Sequence, residues 1–229
     1  MQLPSEVPLM TLPNAILFPD AMLPLYIFEP RYRQMLSDAL HSNRMFMVAM
    51  QKPGRKRESP CQVGGLGLIR ASVAGKDGTS RLILQGLARV ELVEAVRYRP
   101  YRVQRIRTLE TTEADSVAVD ALGAKVVELV SQRLEQGSAL PVHVLSKLEN
   151  EAEIDDATPP NLFSIKQVIE YLTKLENPDR LADLVSCTLL SRIPERQIIL
   201  ETPNLERRLK HLIHFLMGEL QRHNKSDDA

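Results

Sequence analysis

A chain of 229 residues with 44% hydrophobic and 25% charged side chains has the balance of one large or two small folded domains, which excludes disorder over most of its length. Its 29 basic and 29 acidic residues cancel; no apolar run reaches the roughly 20 residues of a membrane-spanning helix, and no basic-then-apolar leader opens it, so no membrane association is expected and the expected address is the cytoplasm. Cys61 and Cys187 stand far apart with no Cys-x-x-Cys spacing, which argues against a disulfide framework or a zinc site and for two reduced, structural thiols.

The opening, Val7 to Glu29, carries prolines at 8, 13, 19 and 24, which forbid a long helix and leave short apolar extended pieces between turns. A helix follows from Pro30 to Leu40, with proline at the first helical position, where its missing donor costs nothing. Tyr32, Met35, Leu36 and Ala39 share one face of it and should pack onto a sheet. Met45 to Met50 is apolar on both faces and reads as a buried strand. Gly64, Gly65 and Gly67 inside the apolar run Val63 to Ile69 predict bulges or a tight barrel bend. Asp77-Gly78 predicts a hairpin turn. Arg81 to Gln85 and Arg89 to Val93 lie either side of Gly86, and Tyr101 to Arg107 alternates as a half-exposed strand does. Five or six strands with one intervening helix result.

The period changes near Thr108 to Thr112. Val119, Leu122, Val126, Leu129 and Val130 form the stripe of a helix ended by Gly137. Leu162, Ile165, Ile169 and Leu172 form a second, stopped at Asn177-Pro178, and Leu181, Leu184, Val185 and Leu189 a third. Glu195 to Leu200 adds a short helix between Pro194 and Pro203. Leu205, Leu209, Leu212, Leu216 and Leu220 line a last, long one. Between the first two, residues 138–160 carry Glu149, Glu151, Glu153, Asp155 and Asp156 and read as a solvated acidic loop. Residues 1–109 hold 16 basic against 8 acidic side chains, and residues 110–229 hold 13 against 21. Such asymmetry marks either an anionic partner for the basic half or two domains that attract each other.

Several segments carry a family likeness in the right order: the proline-spaced opening, Met45 to Lys52, Val63 to Ile69, Asp77-Gly78-Thr79, Gly86-Leu87-Ala88-Arg89-Val90, Asn177-Pro178-Asp179-Arg180-Leu181-Ala182-Asp183, and Asn204-Leu205-Glu206-Arg207-Arg208-Leu209. Together they resemble the substrate-binding amino-terminal domain of the Lon family of ATP-dependent proteases. The resemblance implies an α+β fold, with a PUA-like β-barrel domain over residues 1–109 and an α-helical bundle domain over 110–229. It also implies a role in holding unfolded or client polypeptides, delivering them to an ATP-dependent protease or regulating one.

The chemistry of that family's motor and blade is not in these residues. There is no Gly-x-x-x-x-Gly-Lys-Ser/Thr loop, and Gly75-Lys76-Asp77-Gly78 has neither the upstream glycine nor the magnesium-holding hydroxyl. Gly64-Gly65-Leu66-Gly67 leads into more strand-like residues, not into the helix a dinucleotide fingerprint requires. No serine sits in a Gly-x-Ser-x-Gly elbow. The chain therefore reads as a stand-alone binding domain, not an enzyme, and calls for no cofactor. His211 and His214 have a spacing open to a shared metal, but no third ligand stands at suitable spacing, and rotation from Leu209 puts His211 opposite the apolar stripe and His214 near its edge. Asp179 and Asp183, one turn apart, suit a helix amino terminus through its dipole.

Six of the eight methionines fall at 10, 22, 35, 45, 47 and 50. Methionine surfaces repack around different apolar partners, but Met22, between Pro19 and Pro24, is the one expected to be exposed. Met22, Leu23 and Phe18 are accordingly the polypeptide-binding candidates. The alternative is a nucleic-acid interface. Arg99, Arg102, Arg105 and Arg107, with Tyr98 and Tyr101, place arginine on both faces of a strand, and Lys52 to Arg57 forms a basic loop. The neutral whole chain weighs against nucleic acid as a partner.

Overall fold

The computed structural model describes residues 3–112, 116–136, 165–175 and 177–227. Contacts within the chain divide it into two units, Met1–Glu110 and Thr111–Ala229.

The first unit contains β1 (Glu6–Leu12), β2 (Met22–Ile27), α1 (Pro30–Leu40), β3 (Met45–Met50), β4 (Val63–Ala74), β5 (Ser80–Arg97) and β6 (Val103–Thr108). The strands form one mixed sheet in the order β2-β5-β4-β3-β1-β6. β1 and β3 run parallel, and the other pairs are antiparallel. The 18-residue β5 makes the sheet curl. Its first half pairs with β2, whereas its second half pairs with β6, the far end of the strand order. The two segments around Gly86 are thus one strand, and among the described residues β2 pairs with β5 alone.

All six residues of β3 are buried, because each of its faces meets a different core. Met45, Met47 and Ala49 join Val7, Leu9, Leu66, Val90, Leu92 and Ile106. Phe46 and Val48 point the other way, to the cluster holding Tyr32, Met35, Leu36 and Ala39 of α1. These are the four α1 residues the periodicity placed on its packing face. The Tyr32 hydroxyl ties α1 to β1 by donating to the Thr11 carbonyl (3.3 Å) and accepting from the Thr11 amide (3.2 Å). Tyr101, just before β6, donates to Asp38 at 2.6 Å. That bond holds the Asp38 carboxyl below its ordinary range.

The glycines of β4 and β5 serve close approach as well as irregular pairing. The β4–β5 register shifts between Leu66 and Gly67. A Cβ on Gly65 would overlap the Leu17 carbonyl oxygen, and one on Gly86 the Phe18 carbonyl oxygen. The connection before β2 lies directly on this bare backbone: the Asp20 amide donates to the Gly86 carbonyl (3.0 Å) and the Gly86 amide to the Ala21 carbonyl (2.9 Å). Leu17 and Phe18 are consequently buried.

The second unit is helical: α2 (Ser116–Glu135), α3 (Ile165–Lys174), α4 (Pro178–Leu189), α5 (Ile193–Glu201) and α6 (Leu205–Asp227). Its buried residues include Val126, Leu129, Val130, Leu172, Leu181, Val185, Leu209, Leu212 and Leu216, on the stripes that the 3.6-residue period marks, whereas in α3 Val168 is buried and its neighbour Ile169, expected on the stripe, is half-buried. Gly137, Leu162 and the acidic segment 138–160 lie outside the described residues.

At the start of α4 the carboxylates do something other than capping. The cap is Asn177, whose side chain accepts from the amides of Asp179 (2.9 Å) and Arg180 (3.3 Å). Asp179 instead pairs with Arg208 of α6, and Asp183 lies 3.8 Å from the same guanidinium. Arg208 is 0% exposed. It donates further to the carbonyls of Thr202 (2.7 Å) and Pro203 (3.2 Å) and to the Thr111 hydroxyl (3.3 Å), which itself donates to Asp179 at 2.6 Å. The segments 177–183 and 204–209, distant in sequence, are thus two halves of one buried polar joint.

Candidate functional site

The candidate site is the outward face of β2, β5 and β4. In an antiparallel pair, residues directly opposite each other project from the same side. The pairings Pro24↔Ile83 and Ile83↔Ala71 form one cross-strand row, and Tyr26↔Arg81 with Arg81↔Val73 forms the next. Every side chain of both rows is exposed. Met22, opposite Gln85, extends the face at one end, and Phe28, just past β2, extends it at the other. Met22 is 40% exposed, Tyr26 53% and Phe28 59%, and the last two rings stack with centroids 5.9 Å apart. Leu23, Leu25 and Ile27, the alternate residues, pack inward against the α1-side core. β2 is therefore apolar on both faces, one of them turned to solvent. Pro24 fits this position because proline is tolerated in an edge strand, where a ladder donor is dispensable.

Of the three polypeptide-binding candidates named from sequence, Met22 lies on this face, and Leu23 is its half-buried inward neighbour. Phe18 is a correction: at 1% exposure it belongs to the interior, because its backbone is laid over Gly86 and its ring is enclosed with it. Met10, Met35, Met45, Met47 and Met50 are buried, leaving Met22 as the exposed member of that methionine group. Tyr26, Phe28, Ile83 and Val73, also exposed, are the residues sequence reasoning missed.

The arginine-rich strand differs from its expected arrangement. Gln104 and Ile106 fill the inward positions of β6, and Arg105 and Arg107, two residues apart, share its outer face; Arg102, which would have put arginine on the other face, precedes the strand, so β6 carries arginine on one face. Both are paired within their own unit: Arg105 with Glu6 (2.9 Å) and Glu94, Arg107 with Glu91. The Glu6 hydrogen bond and the Glu94 charge raise the Arg105 pKa. Arg102 is half-buried, stands 5.1 Å over the Tyr98 ring and lies 3.9 Å from Glu58. Arg99 is exposed.

The histidine reading is also corrected. His211 is half-buried, 3.5 Å from the Thr202 hydroxyl, and His214 is the exposed one. Arg208 and Glu219 are buried beside the leucines, which shifts the buried side of α6 away from Leu209 toward His211. Burial, followed by the charges of Arg207 and His214, lowers the His211 pKa. Among the described residues no group of three His, Cys, Asp or Glu is placed to hold a metal ion. No described helix is long and apolar enough to cross a membrane.

Comparison with known proteins agrees with this architecture. Residues 6–218 match the family described as "ATP-dependent protease La (LON) substrate-binding domain". The chain is 23% identical to the Lon protease of Dictyoglomus thermophilum over 96% of its own length, and 27% identical to Lon protease 2 of Myxococcus xanthus over 99%. It spans only 25% and 26% of those two relatives. Among solved structures, the N-terminal domain of Mycobacterium avium complex Lon protease superposes with a TM-score of 0.65 at 17% identity, covering 93% of this chain and 98% of that one. The Lon N-terminal domain protein from Xanthomonas campestris gives a TM-score of 0.56 at 20% identity, covering 92% and 98%. The curled sheet with one packed helix, followed by a helical unit, is thus shared with Lon N-terminal domains, and with its match running almost end to end, this chain belongs to the Lon substrate-binding domain family.

Proposed function

We propose that the chain is a non-enzymatic recognition module that holds unfolded or client polypeptides on the β2–β5–β4 face, for delivery to an ATP-dependent protease or for its regulation. The observation that carries this reading is the exposed run Met22, Pro24, Tyr26 and Phe28, with Ile83 and Val73 beside it. A contiguous apolar surface on a sheet is the usual mark of an interaction site. Burying one such side chain contributes about 1.5–3 kcal/mol before the cost of ordering a flexible partner is subtracted. Two or three contacts therefore give weak, reversible holding, which suits a module that must release what it captures. Family membership supports the general role, and the pairing of Arg105 and Arg107 with carboxylates weighs against the nucleic-acid alternative.

The test is binding of a permanently unfolded protein, followed by fluorescence anisotropy across a salt series. Hydrophobic burial is not weakened by screening, so binding should persist at moderate salt. Replacing Tyr26 and Phe28 together by serine should reduce affinity at least tenfold. Replacing Arg102 and Arg105 by alanine should leave it nearly unchanged. Single-stranded RNA binding with a steep salt slope, lost in the arginine variant, would instead establish the nucleic-acid reading.

A further inference from the structure

The β2–β5–β4 face carries a charge as well as an apolar surface, and the two together define what should bind there. The strand segments 22–28, 68–74 and 80–85 contain two arginines, Arg70 and Arg81, and no aspartate or glutamate. Arg81 stands in the middle of a row, between Tyr26 on β2 and Val73 on β4. Among the described residues its guanidinium has no ion pair and no hydrogen-bond partner, in contrast to Arg105 and Arg107 on β6. Arg70 occupies the irregularity between Ile69 and Ala71, and its Nε donates to the Gln85 side chain. Of the three acidic residues that flank these segments in sequence, Asp77 accepts from Thr79, Glu29 pairs with Arg31, and Asp20 is held at Gly86, beyond the Met22–Gln85 pair and away from the Tyr26–Arg81–Val73 row.

We propose that this face selects apolar or aromatic polypeptide segments that carry a carboxylate beside the apolar residue, and discriminates against segments that carry a lysine or arginine there. This rests on the polypeptide-binding reading above and specifies its substrate class. An occupant lying across the row places one side chain over Tyr26 or Val73 and its neighbour over Arg81. A carboxylate there gains a charge-assisted hydrogen bond. An ammonium group meets an unneutralised guanidinium flanked by apolar surface and is repelled.

The experiment measures binding of the whole chain to three fluorescent peptides with the same aromatic and aliphatic residues, differing at one central position as Glu, Gln or Lys. At low ionic strength the Glu peptide should bind roughly threefold to tenfold more tightly than the Lys peptide, with Gln between them. The difference should shrink as salt rises to about 0.5 M, while the Gln peptide is little affected. Arg81→Ala should abolish the Glu-over-Lys preference and bring the three peptides to a common affinity, Arg81→Glu should reverse the preference, and Arg81→Lys should retain it. Arg81 is exposed, so these variants keep the fold. Equal binding of all three peptides to the unaltered chain, or a preference that survives Arg81→Ala, overturns the charge selection while leaving the apolar face intact. Failure of every peptide to bind overturns both.

Discussion

Replacing Arg208 by methionine removes a guanidinium that is completely buried and bonded to two carbonyls, one hydroxyl and one carboxylate. Methionine fills most of the volume, so the cost is chiefly electrostatic. Removing one partner of a buried ion pair typically costs about 3–5 kcal/mol, because the other charge is left uncompensated. Here the Asp179 side chain is 28% exposed and keeps its bond from Thr111, so it can rehydrate, whereas Asp183 at 7% cannot. The expected loss is therefore near the lower end, about 3 kcal/mol. Restoring neutrality with Asp179→Asn and Asp183→Asn in the same chain should recover part of the loss, since a wholly neutral replacement of a buried pair is often tolerated. The assay is urea unfolding followed by the helical circular dichroism band, which reports on the second unit, for the single, double and triple variants. A loss of less than about 1 kcal/mol for Arg208→Met, or strictly additive effects across the cycle, would refute the view that this joint locks α4 to α6.

Other parts of the fold give further expectations. Burial would raise the Glu219 carboxyl, but the Ser191 hydroxyl and amide and the Arg222 guanidinium outweigh it and lower the pKa. A depressed folded pKa contributes stability that is present above the unfolded value of about 4.5 and is lost as pH falls through the folded one. Melting temperature should therefore fall on acidification below that point, and Glu219→Gln should lower it at neutral pH while flattening the acid decline. Gly86→Ala forces a methyl group into the Phe18 carbonyl and should cost about 1–3 kcal/mol in thermal or urea unfolding. A wild-type melting curve for that variant would mean the segment over the sheet is free to lift. A fragment ending at Glu110 should keep a β-rich circular dichroism spectrum and unfold cooperatively, as a separate domain does; an unfolded fragment would show that the halves depend on each other.

Much of the framework was readable from residue pattern. α1 announced its packing face through Tyr32, Met35, Leu36 and Ala39, and β3 its two-sided burial through an unbroken apolar run, because burial and periodicity report the same physical constraint. The site was harder. In Met22-Leu23-Pro24-Leu25-Tyr26-Ile27-Phe28 both alternating sets are apolar, so alternation cannot say which set meets the core. The pairing of β2 on the outer side of β5 decides it, and that is a tertiary fact. Pro24 was the available signal, since proline inside a strand implies an edge. Phe18 misled because a proline-rich connection looks exposed; nothing local shows that the glycines at 65 and 86 leave room for it to sink onto the sheet. The Arg208 joint was equally hidden, because its halves are separated by some two dozen residues and Asp179 at a helix start has a sufficient local explanation.

The most direct test of the account is to place a photoactivatable phenylalanine analogue singly at positions 26, 28 and 83 on the β2–β5–β4 face, and at 105 and 107 on β6, then illuminate the protein with an unfolded polypeptide. Efficient crosslinks are expected from 26, 28 and 83, persisting at moderate salt, with background levels from 105 and 107. Crosslinks that arise mainly from the β6 positions, or equally from both groups, would contradict it.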